Sequence, residues 1–201
     1  MALALATLSA VTLMSVRGLA QGDRDEWQQP ERVMADLHLQ PGITIADVGC
    51  GSGYFTFRLA EAAGKGGRVL AVDIDKDALA VVRERAEAEG IGNVEVVRSE
   101  PDSTTLPSES IDAAFICDVL HEVPEEGRRP LVADVARTIR PGGLLYVIDY
   151  RKSHDVPFDP YDILVPRDEL QRMAEEAGLV LDAEFHYLHY QVFLRFLKPT
   201  E

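Results

Sequence analysis

The clearest chemical signal in the sequence is a glycine-rich loop that follows an acidic residue. In the stretch ADVGCGSGYFTFRLA, residues 46–60, Asp47 precedes three alternate glycines, Gly49, Gly51 and Gly53. An apolar, β-branched segment lies before the loop and a helical pattern follows it, so the loop is predicted to join a strand to a helix. Glycines allow a tight turn and close approach of a ligand, and free amides at a helix N-terminus favour a carboxylate or a phosphate.

Two further acids follow predicted strands. Asp73 ends the segment VLAVD, at about the separation of roughly 20 residues expected for an acid that accepts hydrogen bonds from ribose hydroxyls. Ile74 could then lie against an adenine ring, whereas Asp75 fits the N-cap of the next helix better than Asp73 does. Glu100 follows the third predicted strand and could accept from an adenine amino group, while Pro101 after it has no amide to donate.

Two classes of ligand compete for such a loop, NAD-type dinucleotides and S-adenosylmethionine. The spacing here is G-x-G-x-G after Asp47, not the G-x-G-x-x-G of dinucleotide sites. A carboxylate at Asp47 can accept a hydrogen bond from an ammonium group. The methionine part of S-adenosylmethionine carries an ammonium, whereas a pyrophosphate does not. The sequence contains no Tyr-x-x-x-Lys pair and no G-x-x-x-x-G-K-[ST] motif, so a short-chain dehydrogenase and a P-loop enzyme are disfavoured.

The predicted strands and helices that carry these residues alternate up to Tyr150, except that a polar loop, EPDSTTLPSES, joins the third strand directly to the fourth. Five predicted strands and the helices between them indicate parallel pairing and an open, doubly wound α/β sheet. One predicted helix begins at about residue 54, and the RPGG stretch at 140–143 is predicted to turn the chain before the fifth strand. After a further helix, the segments LVLDAEFHYL and YQVFLRFL are nearly contiguous, which demands an antiparallel hairpin.

The segments ADVGCGSGYFT, VLAVDID, SEPDSTTLPSESIDAAFICDVLHEV and IRPGGLLYVID together resemble the successive motifs of class I S-adenosylmethionine-dependent methyltransferases. They resemble most the small-molecule branch, which includes ubiquinone/menaquinone C-methyltransferase-like and arsenite-methyltransferase-like proteins. The resemblance covers about residues 27–197. It implies a Rossmann-like, seven-stranded sheet whose last strand is antiparallel, in one methyltransferase domain over 21–201, with S-adenosyl-L-methionine as cofactor.

The residues and the resemblance together predict a set of cofactor contacts around the glycine loop and the strand ends. They are Asp47, Gly49, Cys50, Gly51, Gly53, Tyr54, Asp73, Ile74, Glu100, Pro101, Cys117 and Asp118.

The predicted function is transfer of a methyl group from S-adenosylmethionine to a small-molecule acceptor. The alternatives are a module that binds S-adenosylmethionine or S-adenosylhomocysteine without turnover and, more weakly, an NAD-dependent oxidoreductase. Arsenite is disfavoured as acceptor because that chemistry needs several thiolates and the chain has only Cys50 and Cys117. CDVLHEV stands where nucleic-acid and protein amine methyltransferases carry an Asn/Asp-Pro-Pro-aromatic motif, so amine chemistry of that kind is disfavoured too.

A general base is needed only for an alcohol, a phenol or a carbon acid. His121 is the first choice because imidazole titrates near neutrality, and Glu122 is the second; each could instead be a polar residue beside the cofactor. Trp27 and Tyr54 could close the cofactor site from the N-terminal side, or Trp27 could pack on the core. The loop after the fifth strand could form a lid or merely connect elements; its polar residues are His154, Asp159, Tyr161 and Asp162.

Composition limits the partners and the compartment. The 201 residues carry a net charge of −14, which opposes nucleic-acid binding at long range, and two cysteines without a Cys/His cluster predict no metal. Residues 1–20 resemble a signal peptide but lack a basic start, and the apolar run is too short for a stable membrane span. Cleavage would place the protein in the periplasm; an uncleaved anchor, an N-terminal helix or a mis-assigned start are the alternatives, and without export the protein is cytoplasmic.

Overall fold

A computed structural model describes residues 24–151 and 164–200. Seven strands form one sheet in the order β3-β2-β1-β4-β5-β7-β6. Their bounds are β1 Thr44–Val48, β2 Arg68–Asp73, β3 Val94–Arg98, β4 Ile111–Cys117, β5 Ile139–Tyr150, β6 Val180–Phe185 and β7 Gln191–Leu197.

Strands β1 to β5 pair in parallel, and β7 pairs antiparallel with both β5 and β6. The predicted doubly wound sheet with an antiparallel terminal hairpin is therefore confirmed. From β1 to β3 successive strands are placed toward one edge of the sheet, and from β4 onward they are placed on the other side of β1. The order of the strands therefore reverses between β1 and β4, which are neighbours in space but not in sequence. That reversal opens a crevice at the carboxyl ends of the parallel strands.

Five helices accompany the described strands, and residues 24–28 form a further short helical stretch, here called the N-terminal segment. The helices are α1 Pro30–Leu37, α2 Thr56–Ala63, α3 Lys76–Glu89, α4 Glu125–Thr138 and α5 Arg167–Glu176. Asp75 caps α3 by accepting from the amide of Asp77 at 2.8 Å, and Gly90 ends that helix with φ 66°. The Asp75 cap agrees with the prediction from the sequence, and glycine is the residue type that a left-handed helix end favours.

The helices cover both faces of the sheet. Helices α1, α2 and α3 pack on the face to which Ile45 points, and α4 and α5 pack on the face of Ala46. The β strands in the middle of the sheet are accordingly apolar on both sides, as buried parallel strands are.

Two predicted boundaries differ from the structure. Helix α2 begins at Thr56, because residues 51–55 form turns before it. The RPGG stretch does not precede β5 but lies within it as an irregularity: Ile139 pairs with Ile111, and pairing resumes only at Leu144 with Ala113. A Cβ on Gly143 would lie 2.5 Å from the Asp112 carbonyl oxygen, so the two strands approach too closely there for a side chain.

The predicted leader 1–20 and the loop residues His154, Asp159, Tyr161 and Asp162 lie outside the described residues. Within the described part of the chain, no helix has both the length and the apolar character needed to cross a bilayer.

Candidate active site

A cavity of about 570 Å³ opens at the carboxyl ends of the central strands. This volume lies within the roughly 300–1,000 Å³ typical of small-molecule sites. Eleven of the predicted cofactor contacts line the cavity, and Gly53 alone does not. The lining members are Asp47, Gly49, Cys50, Gly51, Tyr54, Asp73, Ile74, Glu100, Pro101, Cys117 and Asp118.

The three glycines of the loop serve different purposes, although all have positive φ. A Cβ on Gly49 would lie 2.3 Å from a methyl of Val119, and one on Gly53 would lie 2.7 Å from the ring of Phe57. At Gly51 a Cβ would meet no atom within 4 Å, and this residue borders the cavity. Close approach of a ligand can therefore explain the missing side chain at Gly51, whereas at Gly49 and Gly53 protein side chains occupy the space that a Cβ would need.

Asp47 presents a buried carboxylate to the cavity. It lies at the end of β1, is 4% exposed and accepts a hydrogen bond from the Thr56 hydroxyl at 2.6 Å. Burial raises its pKa to about 7, and the negative charge of Asp73 adds to that rise. A cationic ligand group beside Asp47 would remove this penalty.

Asp73 is oriented by two backbone amides. One carboxylate oxygen accepts from Gly51 at 2.7 Å and the other from Asp75 at 2.8 Å, so the side chain braces the glycine loop. Each oxygen retains a lone pair for a further donor. Next to it, Ile74 is 57% exposed, an apolar side chain on the cavity wall.

Asp118 adopts a left-handed conformation, φ 59°, at the end of β4. Its carboxylate lies 3.0 Å from Nη2 of Arg24 and accepts a hydrogen bond from the side-chain amide of Gln191. Burial raises the pKa of Asp118 to about 6, while the positive charge of Arg24 opposes that rise. The sequence offered no signal for Arg24, because it stands in a polar stretch before the first motif and reaches Asp118 only through the fold.

The two candidate bases are placed differently. Glu122 lines the cavity, whereas His121 is buried behind the lining. Nδ1 of His121 lies 2.7 Å from Asp149, and Nε2 lies 4.0 Å from the Glu122 carboxylate. Asp149 is itself fixed by the amides of Leu120 and Tyr150, each at 2.8 Å. Donor and acceptor in this contact depend on the imidazole tautomer: a proton on Nδ1 would be donated to Asp149 and would leave Nε2 as an acceptor.

Of the two aromatic residues expected near the cofactor, the structure brings only Tyr54 to the cavity. Its hydroxyl donates to Asp25, and the guanidinium of Arg24 lies 4.0 Å from the centre of its ring. Trp27 packs instead on Tyr150 and Tyr190, with ring centres 5.8 and 6.5 Å away.

The described lining of the cavity is strongly acidic. One basic side chain, Arg24, faces six acids: Asp47, Asp73, Asp75, Glu100, Asp118 and Glu122. Such a lining attracts cations and repels phosphates.

Comparison with known proteins points to methyltransferases. Residues 45–143 match a family model described as a methyltransferase domain. The chain is 29% identical over 126 residues to the ubiquinone/menaquinone biosynthesis C-methyltransferase UbiE of Shewanella piezotolerans, which covers 62% of this chain and 49% of that protein. It is 29% identical over 150 residues to an arsenite methyltransferase of Halobacterium salinarum. That match covers 70% of this chain and 38% of the arsenite methyltransferase. The chain thus spans about half the length, or less, of these curated relatives.

A similar solved structure is that of a SAM-dependent methyltransferase from Aquifex aeolicus. It superimposes with a TM-score of 0.82 at 25% identity, over 92% of this chain and 97% of that one.

Proposed function

Because the chain belongs to the class I S-adenosylmethionine-dependent methyltransferases, we propose that it transfers a methyl group from S-adenosylmethionine to a small-molecule acceptor. The observation that carries this proposal is the acidic lining of the cavity, six acids against one base. S-adenosylmethionine brings two cationic groups, an ammonium and a sulfonium, whereas a dinucleotide brings an anionic pyrophosphate. Coulomb attraction therefore favours the first ligand and disfavours the second.

The residues present fit this cofactor. The buried carboxylate of Asp47 would hold the ammonium, and the braced carboxylate of Asp73 would accept from the ribose hydroxyls. Ile74 would provide apolar contact for the adenine, and Glu100 would accept from its amino group. Gly51 leaves the loop bare where it borders the cavity.

When bound, the cofactor supplies a methyl group already activated on a sulfonium. The chain then has to align the acceptor with that methyl and exclude water. We assign proton removal from the acceptor to Glu122, because it lines the cavity. His121 is held by Asp149, and its Nε2 lies 4.0 Å from the Glu122 carboxylate, beyond hydrogen-bond distance, so we assign it no proton transfer.

The acceptor that this arrangement suits is a carbon acid, a phenol or an alcohol. The relatives are named for quinone biosynthesis and for arsenite. For this chain, arsenite fits poorly. Burial raises the pKa of the thiols of Cys50 and Cys117 above the usual range, so neither side chain offers a ready thiolate.

The test is a thermal melt of the full chain with S-adenosylmethionine, S-adenosylhomocysteine or NAD, followed by turnover assays on carbon, oxygen, nitrogen and sulfur acceptors. A ligand at a hundredfold excess over its Kd should stabilise by about 2.7 kcal/mol, which raises Tm by roughly 5 to 10 °C. Shifts with both adenosyl ligands and none with NAD are expected. A shift with NAD alone would revive the oxidoreductase, and adenosyl binding without turnover on any acceptor would indicate a binding module.

A further inference from the structure

We infer that Arg24, paired with Asp118, balances the preference of the cavity between two ligands that differ by one positive charge, S-adenosylmethionine and S-adenosylhomocysteine. The inference rests on the proposed function, since it concerns the same cavity. It adds a specificity-determining residue from the N-terminal segment, outside every sequence motif.

The position of Arg24 brings its charge to both sides of the cavity. Its guanidinium lies 4.0 Å from the ring centre of Tyr54, which follows the glycine loop, and 3.0 Å from the carboxylate of Asp118, at the end of β4. A third contact, to Gln28 at 3.4 Å, lies within the N-terminal segment. Tyr54, Asp118 and Arg24 all line the cavity.

The two ligands differ in charge at a single atom. S-adenosylmethionine carries a sulfonium, and S-adenosylhomocysteine carries a neutral thioether. A cation on the cavity wall therefore penalises the first ligand relative to the second, wherever in the cavity the sulfur lies. For unit charges on opposite sides of such a cavity, with solvent screening, the penalty corresponds to about three- to tenfold in the ratio of the two dissociation constants.

Asp118 has the opposite effect. Its carboxylate favours the sulfonium, and the ion pair with Arg24 nearly cancels the two influences. Removing Arg24 leaves Asp118 without this ion-pair partner and makes the lining more negative, whereas removing the charge of Asp118 leaves Arg24 without it and makes the lining less negative. The two single substitutions should therefore shift the preference in opposite directions.

The experiment is calorimetric titration of the full chain at pH 8 and low salt with each ligand. In Arg24→Gln, the ratio of Kd for S-adenosylhomocysteine to Kd for S-adenosylmethionine should rise three- to tenfold; in Asp118→Asn it should fall by a similar factor. The double variant should return to within about twofold of the unsubstituted protein. Arg24→Lys, which keeps the charge, should also retain the original ratio.

The matched control is Arg32→Gln. Arg32 lies in α1, with its guanidinium 3.8 Å from the ring centre of Tyr187, and it does not line the cavity. In Arg32→Gln the ratio of the two dissociation constants should not change. If Arg24→Gln weakens both ligands equally, Arg24 only holds the N-terminal segment and the inference fails while the proposed function stands. If the unsubstituted protein binds neither ligand, both fail.

Discussion

The residues of the loop at 49–53 show how one short motif serves two physical purposes. Gly49 and Gly53 are crowded by Val119 and Phe57, so these glycines let the loop pack against the protein itself. Gly51 faces open space at the cavity, where only a ligand could come close. Packing and binding can therefore be separated by substitution.

Gly51→Ala should weaken S-adenosylmethionine binding by tenfold or more, because the new methyl group would project into the cavity. The left-handed backbone, φ 51°, should cost about 1–2 kcal/mol of stability as well. Gly90→Ala is the matched control: it has φ 66°, equally open surroundings and a position at the end of α3 away from the cavity. Calorimetry and urea unfolding should show similar stability losses but a loss of affinity only in Gly51→Ala.

Asp47 should make the ligand-free protein less stable as pH rises. Its pKa is about 7 in the folded state and about 3.9 in an unfolded chain, so the folded state holds an extra proton between these values. Stability therefore falls across about pH 4 to 7, by at most about 1.4 kcal/mol per pH unit from this group. Asp47→Asn should flatten that fall in urea unfolding at pH 5, 6 and 7.

The control for Asp47 is the exposed acid Glu87 on α3. Glu87→Gln should keep the slope of the unsubstituted protein. In Asp47→Asn a smaller fall of stability with pH should remain, because the pKa of Asp118 is also raised, to about 6. If the unsubstituted protein, Asp47→Asn and Glu87→Gln all lose stability equally with pH, Asp47 is not the group responsible.

At the scale of elements, the N-terminal segment is joined to the domain by side chains and not by strand pairing. Gln28 is fully buried, and its amide donates to Gln191 at 2.9 Å, at the start of β7. Gln191 in turn donates to Asp118. This chain of contacts ties the segment that carries Arg24 to the cavity wall.

Gln28→Ala should release this segment before the sheet unfolds. Loss of the buried hydrogen bond should cost about 1–3 kcal/mol. Trp27 is the only tryptophan in the chain, so its emission reports the segment while far-UV circular dichroism reports the sheet and helices. In urea, the emission transition should move to lower concentration than the dichroism transition. Gln40→Ala, at an exposed residue bonded to the His38 carbonyl at 3.1 Å, should leave the two transitions coincident.

At the scale of the whole molecule, topology and charge act together. The reversal of strand order between β1 and β4 opens the crevice, and the acids at the ends of the parallel strands make it negative. The net charge of −14 has the same sign. A cationic cofactor is therefore drawn to the molecule and then to the cavity, whereas polyanions are repelled from both.

The sequence by itself predicted the fold, the family and the ligand class, because these predictions depend on local signals and on motifs that resemble those of a known family. Apolar strands, helical periodicity, the loop after Asp47 and the near-contiguous last strands are each readable within a few residues. The prediction of a class I methyltransferase fold is confirmed by the sheet order and by the matches to known proteins. The cofactor contacts remain predictions, although all but Gly53 meet at one cavity.

Only the tertiary structure decided which side chains from distant segments meet. Arg24 reaches Asp118 across 94 positions of sequence, and His121 reaches Asp149 across 28. It also decided that Glu122, and not His121, borders the cavity, and that Val119 crowds Gly49. Such contacts follow from strand order and helix packing, which no local pattern encodes, because two residues on neighbouring strand ends can lie anywhere in the chain.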